Sequence, residues 1–132
     1  MSYAHPDWWN PHLYGSDDPW YVQVLEDGIE VARVELQVDV DIEHYVNVPA
    51  IGSERLEIAF IEVTTSEYGR GVGAQAVRAL ERLHRDRRLL AYSEEADGFW
   101  ASFGWERFDH PDGDWRPLFI QPARQQIGSP AL

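Results

Sequence analysis

From Trp20 to Val40 the chain reads WYVQVLEDGIEVARVELQVDV, with apolar and polar positions alternating on both sides of Asp27-Gly28. A period of two broken by a tight-turn pair predicts a β-hairpin. DIEHYVNVPAIGSER, with Pro49 and Gly52, reads as a strand tail and a loop, and LEIAFIEVTT is apolar enough for a central strand. Between Gly71 and Arg88 the pattern changes to a helical one. Val72, Ala76, Ala79, Leu80 and Leu83 share one side, and Gln75, Arg78, Glu81, Arg82 and Arg85 the other. LLAYS is a short strand, Ala96 to Phe103 a short helix closed by Gly104, and WERFDHPDGDWRPLFIQP a second hairpin around His110 to Asp114. The opening MSYAHPDWWNPHLYGSDDP has no periodicity and reads as an extended arm, and the tail from Ala123 reads as frayed. The order is β-β-β-α-β-α-β-β, taken as one domain over 132 residues: an arm (1–19), a core (20–122) and a tail (123–132).

Composition narrows the function classes. A formal charge of −12 repels nucleic-acid phosphate and draws in a cationic small molecule or a basic peptide, or it serves solubility alone. No apolar run approaches the roughly twenty residues of a membrane span, and no basic-then-apolar start marks a secretory signal, so a cytoplasmic protein is expected. With no cysteine there are no disulfides, thiolate metal sites or Cys nucleophiles. The acidic alternation Asp39, Asp41, Glu43 reads as a solvated strand face, and no metal is assigned.

Candidate chemistry begins at Val63 to Ala74, VTTSEYGRGVGA, where Gly69, Gly71 and Gly73 lie between a strand-like and a helix-like run. Such a loop aims backbone N–H groups at one place, where the helix dipole also favours an anion. A nucleotide P-loop is excluded, because Ala74-Gln75 stands where Lys-Ser/Thr is needed and the chain has no lysine. The dinucleotide fingerprint is excluded by its different glycine spacing. A phosphate cradle and a plain turn both remain.

Two motifs in this order of elements resemble the GNAT N-acetyltransferases. Tyr68-Gly69-Arg70-Gly71-Val72-Gly73 matches the family's Gln/Arg-x-x-Gly-x-Gly/Ala pattern in its glycines, with Tyr in place of Gln or Arg. Ala96, Phe99-Trp100 and Gly104-Trp105 match a second signature, and the resemblance covers roughly Trp20 to Pro122. It implies an α+β fold, a GNAT-type mixed, splayed β-sheet flanked by helices, with a shortened N-terminal acceptor region. It also implies acetyl-CoA as co-substrate and a primary amine as acceptor. By similarity, backbone amides around Gly69, Arg70, Gly71, Gly73 and Ala74 receive the pyrophosphate of coenzyme A. Main-chain groups of Val63 and Thr65 run beside the pantetheine arm, and the Val63 N–H polarises the thioester carbonyl. Ser93 stands where an Asn often contacts the pantetheine. Trp100 stands where a Tyr usually protonates the departing thiolate, leaving Tyr92, Ser102 or water for that step.

Glu57 is the leading candidate base. In the histone-acetylating branch the catalytic Glu lies on this strand, six residues before the position matched by Val63. Period two then puts Glu57, Ala59, Ile61 and Val63 on one face, and partial burial would raise the carboxyl toward a useful base. The plainer reading is a strand-end Glu paired with Arg55 or solvated, and Glu62, on the opposite face, is a weaker candidate. His84 and His110 receive no role. The family's acceptor-side helices are missing before the hairpin. That side is expected to be truncated, open or completed by a second subunit of a homodimer; the aromatic arm, with His5, Trp8, Trp9 and His12, is a candidate cover for a cationic amine, beside the plainer reading that it only docks onto the core. Two functions follow: an N-acetyltransferase, or a non-catalytic acyl-CoA-binding or protein-interaction module on the same fold.

Overall fold

The computed structural model describes residues 20–113 and 115–123. The arm with His5, Trp8, Trp9 and His12, the residue Asp114 and the tail beyond Ala123 lie outside the described residues. Strands β1 (Trp20–Glu26) and β2 (Ile29–Gln37) form the first hairpin. Asp27 at φ 53° and Gly28 at φ 79° both occupy the left-handed region, the geometry of the type I′ turn that matches strand twist. β3 (Arg55–Val63) leads through a 3₁₀ turn (Thr65–Glu67) to α1 (Val72–Leu83). Then follow β4 (Arg88–Tyr92), α2 (Asp97–Ala101), β5 (Glu106–Phe108) and β6 (Leu118–Ile120).

The six strands lie in the order β1-β2-β3-β4-β6-β5, antiparallel except for the parallel pair β3·β4. That parallel pair is short: Arg55, Leu56 and Glu57 face Arg88, Leu89 and Leu90. Beyond Glu57 the two strands part, β4 pairing with β6 while β3 runs on with no partner at that edge among the described residues. The sheet is mixed and forked, an α+β arrangement with its helices on one face.

On the helix face, Val77 and Leu80 of α1 and Trp100 of α2 bury Val34, Leu36, Leu56, Ile58, Leu89 and Ala91. Truncating Trp100 there to alanine should cost about 3–5 kcal/mol. The opposite face is covered by residues 38–54, which lay Val40, Ile42, Tyr45 and Ile51 over Leu90, Phe108, Leu118 and Ile120. Arg55 fastens this loop, donating to the carbonyls of Val40 (2.8 Å) and Ile51 and pairing with Glu43 at 3.0 Å.

Both helices are shorter than the periodicity predicts. α1 stops at Leu83, which is 73% exposed, because the chain must turn through His84–Arg87 to start β4 beside β3. Its buried stripe is Val72, Ala76, Val77 and Leu80. α2 gives way at Ser102 to a turn closed by Gly104 at φ 78°.

Candidate active site

The fork between β3 and β4 opens a cleft of about 420 Å³ lined by Ile58, Phe60, Ile61, Tyr92, Phe99 and Trp100. It adjoins a second cleft of about 450 Å³ over the glycine loop, and Ile61, Val63, Gly73 and Phe99 line both. One groove therefore runs from the crotch of the fork to the start of α1. Phe99, half-buried between the two, has no signal in the sequence beyond its place in the second motif.

The glycine loop ends in a bare helix N-terminus. Gly71 at φ 76° is the N-cap, with no side-chain hydrogen bond capping it, and the first helical bond runs from the Gln75 N–H to its carbonyl at 3.0 Å. The N–H groups of Gly71, Val72, Gly73 and Ala74 precede that bond and lack helical acceptors, which suits an anion. A Cβ at Gly73 would lie 3.5 Å from the Phe99 ring and 3.6 Å from Val63, against the groove walls. Arg70 departs from expectation. Its N–H already donates to the Glu67 carbonyl at 3.3 Å, and its guanidinium joins Glu67 and Glu26, tying the loop to the hairpin tip.

Where β3 leaves β4, no strand among the described residues pairs with its outer edge, which suits a strand-like guest. The Thr64 N–H donates to the Val31 carbonyl on β2 at 2.9 Å. Successive N–H groups of an extended chain point to opposite edges, so those of Val63 and, two residues earlier, Ile61 point into the cleft. Counting back by two from Val63 finds Ile61 in the sequence. Thr65 does not match its expected place. It opens the 3₁₀ turn instead of extending the strand, so its main chain does not continue that edge. Ser93 differs from expectation too. Its buried hydroxyl donates to Asp97 (2.6 Å) and accepts from the Ala96 N–H (3.1 Å), pinning the entry to α2.

Strand β3 does not keep period two. Leu36 pairs with Ile58 and Glu35 with Phe60, which leaves Ala59 as a one-residue bulge. Leu56 and Ile58 face the helices, and after the bulge so do Ile61 and Val63. Glu57 therefore lies on the face opposite Val63, paired with Gln37 on β2 and Leu90 on β4. The expectation of a shared face fails at Ala59. At roughly 3.3 Å per residue Glu57 is also about 20 Å from Val63 and about 13 Å from Ile61. Its environment is that of a perturbed acid: burial pushes the Glu57 carboxyl up to about 7, nearby Arg116 opposes the rise and Glu35 reinforces it. Arg55, the partner of the plainer reading, is occupied by the 38–54 loop.

The candidates for protonating a thiolate divide. Ser102 donates to the Phe99 carbonyl (2.6 Å) on the exposed side of α2. Trp100 is buried, stacked on Trp105 with centroids 5.3 Å apart, and walls the cleft. Tyr92 reaches the cleft, but its hydroxyl donates to the Asp41 carbonyl, and burial together with Glu57 holds the phenol well above its ordinary range. Glu62 lines the glycine-loop cleft. Among the described residues no group of three or more His, Asp or Glu side chains is placed to hold a metal ion.

No protein-family model matches the chain, and no curated protein matches it in sequence. Solved structures do match it in fold. An acetyltransferase from Thermus thermophilus superposes with a TM-score of 0.61 at 16% identity, over 85% of this chain and 69% of that one. The PaiA N-acetyltransferase of Thermoplasma acidophilum, in complex with coenzyme A, gives 0.59 at 10% identity, over 80% and 62%. An aminoglycoside 6′-N-acetyltransferase complexed with coenzyme A gives 0.53 at 13%, over 92% and 88%. The chain thus spans about two thirds of the first two. With its forked mixed sheet and the glycine loop opening α1, this chain has the fold of the GNAT acetyltransferases.

Proposed function

We propose that the protein is an acetyl-CoA-dependent N-acetyltransferase acting on a primary, cationic amine. The observation that carries this reading is the continuous groove from the fork of β3 and β4 to the uncapped start of α1. An apolar channel with a strand edge unpaired among the described residues fits the amide-bearing pantetheine arm, and the uncapped amides at Gly71, Val72, Gly73 and Ala74 fit its pyrophosphate. The acetyl thioester supplies the acyl group. The chain supplies the rest. The Ile61 N–H, rather than that of Val63, is the donor aimed at the developing oxyanion, because it lies nearer the fork and nearer Glu57. Val63 then serves the pantetheine arm.

Glu57 accepts the proton of the incoming ammonium through bridging water, from the sheet face opposite the helices. The freed amine attacks the carbonyl, the C–N bond forms, the C–S bond breaks, the sulfur leaves as thiolate, and the nitrogen gives its second surplus proton to water as the neutral amide forms. With Tyr92 committed to Asp41 and Trp100 without a titratable proton, solvent protonates that thiolate. The strongly acidic chain favours a cationic acceptor.

The same two facts, a Trp at the usual acid position and a committed Tyr92, favour a second reading: a non-catalytic acyl-CoA-binding module. Release of free thiol from acetyl-CoA across a panel of primary amines separates the two. Amine-dependent thiol release supports the enzyme, and tight coenzyme binding without turnover supports the module.

A further inference from the structure

Glu57 does not sit alone on its face of the sheet. Its cross-strand partner is Gln37, and two residues back along β2 lies Glu35, which the same register places on that face, opposite Tyr21 of β1. Glu35 is fully buried. One carboxyl oxygen accepts from the Gln37 amide, and the other has no hydrogen-bond partner. Burial without a partner disfavours the ionised form there, and whatever charge the carboxyl carries acts on its neighbours with little screening. From the other side comes the connection between β5 and β6, where Arg116 lies with its guanidinium carbon 6.0 Å from the Tyr92 ring centre. Arg116 is tethered to Glu94 at 2.8 Å, and its carbonyl accepts from Tyr45 at 2.6 Å. Tyr92 of β4 lies beside them, held neutral by its bond to the Asp41 carbonyl, and the 38–54 loop over the same face adds Tyr45, Asp41 and Glu43 around Tyr92.

We propose that Glu35 and Arg116 are positioning residues for Glu57, bracketing its carboxylate with opposite charges and so setting its affinity for the acceptor's proton. The proposal rests on the reading of Glu57 as the base. Its directions agree with the electrostatics: Glu35 favours protonation of Glu57, Arg116 favours ionisation, and burial holds the Glu35 carboxyl itself above its ordinary range. A base must bind the amine's proton well enough to remove it and release it before the next turnover, which is optimal near the working pH. Burial alone would overshoot or undershoot; two opposed charges on separate elements allow it to be set.

The test is carboxyl-carbon NMR on the full chain, with the Glu57 resonance identified by its loss in Glu57→Gln. It is titrated in wild type, Glu35→Gln, Glu35→Asp and Arg116→Gln. Glu35→Gln keeps shape and the Gln37 contact, and Arg116 has a half-exposed side chain, so both variants should fold. The Glu57 midpoint should fall by roughly half a unit or more in Glu35→Gln, return toward wild type in Glu35→Asp and rise in Arg116→Gln. The acidic limb of kcat/KM should move with it, while acetyl-CoA affinity stays unchanged. An unmoved Glu57 midpoint in both Gln variants overturns the proposal. A midpoint that moves while the kinetic limb stays fixed upholds the charge bracket and removes Glu57 from the chemistry.

Discussion

Replacing Glu57 by glutamine should slow transfer and yet stabilise the fold at alkaline pH. Burial takes the carboxyl from its ordinary 4.5 up to about 7 in the native state. Between those values the native chain binds the proton more tightly than the unfolded one, so stability falls as pH rises. The contribution is fully present below about 4.5 and is lost as pH climbs through about 7. At about 1.36 kcal/mol per unit, the gap amounts to about 3 kcal/mol. That is a large share of the roughly 5–15 kcal/mol that holds a domain together. Glutamine keeps the shape and has no proton to lose, so the variant lacks this slope. The assay is urea unfolding of both proteins at about pH 4.5 and about pH 8.5, where titrations of groups not coupled to Glu57 cancel in the difference and a Glu35→Gln background removes the coupled carboxyl. The stability advantage of Glu57→Gln should grow by about 3 kcal/mol between the two conditions. A constant difference would refute the reasoning, because it would mean that Glu57 titrates alike in folded and unfolded chains. A measured gain, with turnover down by roughly 10²–10⁴-fold as for a lost general base, would identify a carboxylate held at a cost to stability.

Gly73→Glu should weaken coenzyme A binding at least about tenfold, since Gly73 is helical with ordinary room for a Cβ and the new charge faces the pyrophosphate amides; calorimetry showing wild-type affinity in the folded variant removes the phosphate assignment. Tyr92→Phe removes one hydrogen bond to the Asp41 carbonyl, so it should cost about 1 kcal/mol or less and leave turnover within about threefold of wild type. A far larger loss of kcat would make Tyr92 the acid after all. Deleting residues 2–12 should raise the acceptor KM and spare acetyl-CoA affinity if the aromatic arm builds the acceptor side, and unchanged kinetics dismiss the arm. Sedimentation at micromolar concentration tests the proposed homodimer, which a monomer would eliminate.

Elements whose signal is local are legible in the sequence. Asp27-Gly28 names its own turn because few residues tolerate two successive left-handed conformations, and the alternation around it fixes both strands. The glycine loop and the order of elements are legible for the same reason. Helix ends are not. Nothing in LERLHRDRR marks Leu83 as the last helical residue; the stop is imposed by β4, whose Arg88 N–H donates to the Glu54 carbonyl at 2.7 Å. Side-chain partners are the least legible. Ser93 reads as a ligand contact in the sequence and is a turn clamp in the fold, and Arg55 reads as a neighbour of Glu57 and is the anchor of a loop. In both cases the deciding partner lies in another element or in a turn whose shape the sequence does not specify.

The bulge at Ala59 shows why such a gap matters to chemistry. Alternation in LEIAFIEV slips only in that Glu57 and Glu62 lie an odd five residues apart, and Ala59, small and apolar enough for either face, does not mark where the extra residue sits. Its effect is to hand the two ends of β3 to different sides. Before it, Glu57 points away from the helices, toward the acidic and aromatic surroundings of Glu35 and Tyr92. After it, Ile61 and Val63 turn their side chains to the helices. Their N–H groups are left on the open edge, as the Thr64 bond to β2 fixes by alternation. A regular strand would put base and groove wall on one surface, where acceptor and coenzyme would compete for the same approach. In the proposed reaction, the slip lets the amine reach a thioester along the edge from one face while its phosphates are held at α1 on the other. Restoring regular pairing by deleting Ala59 should therefore abolish transfer even where a folded chain still binds coenzyme A, and a folded deletion variant with intact turnover would show that the base lies elsewhere.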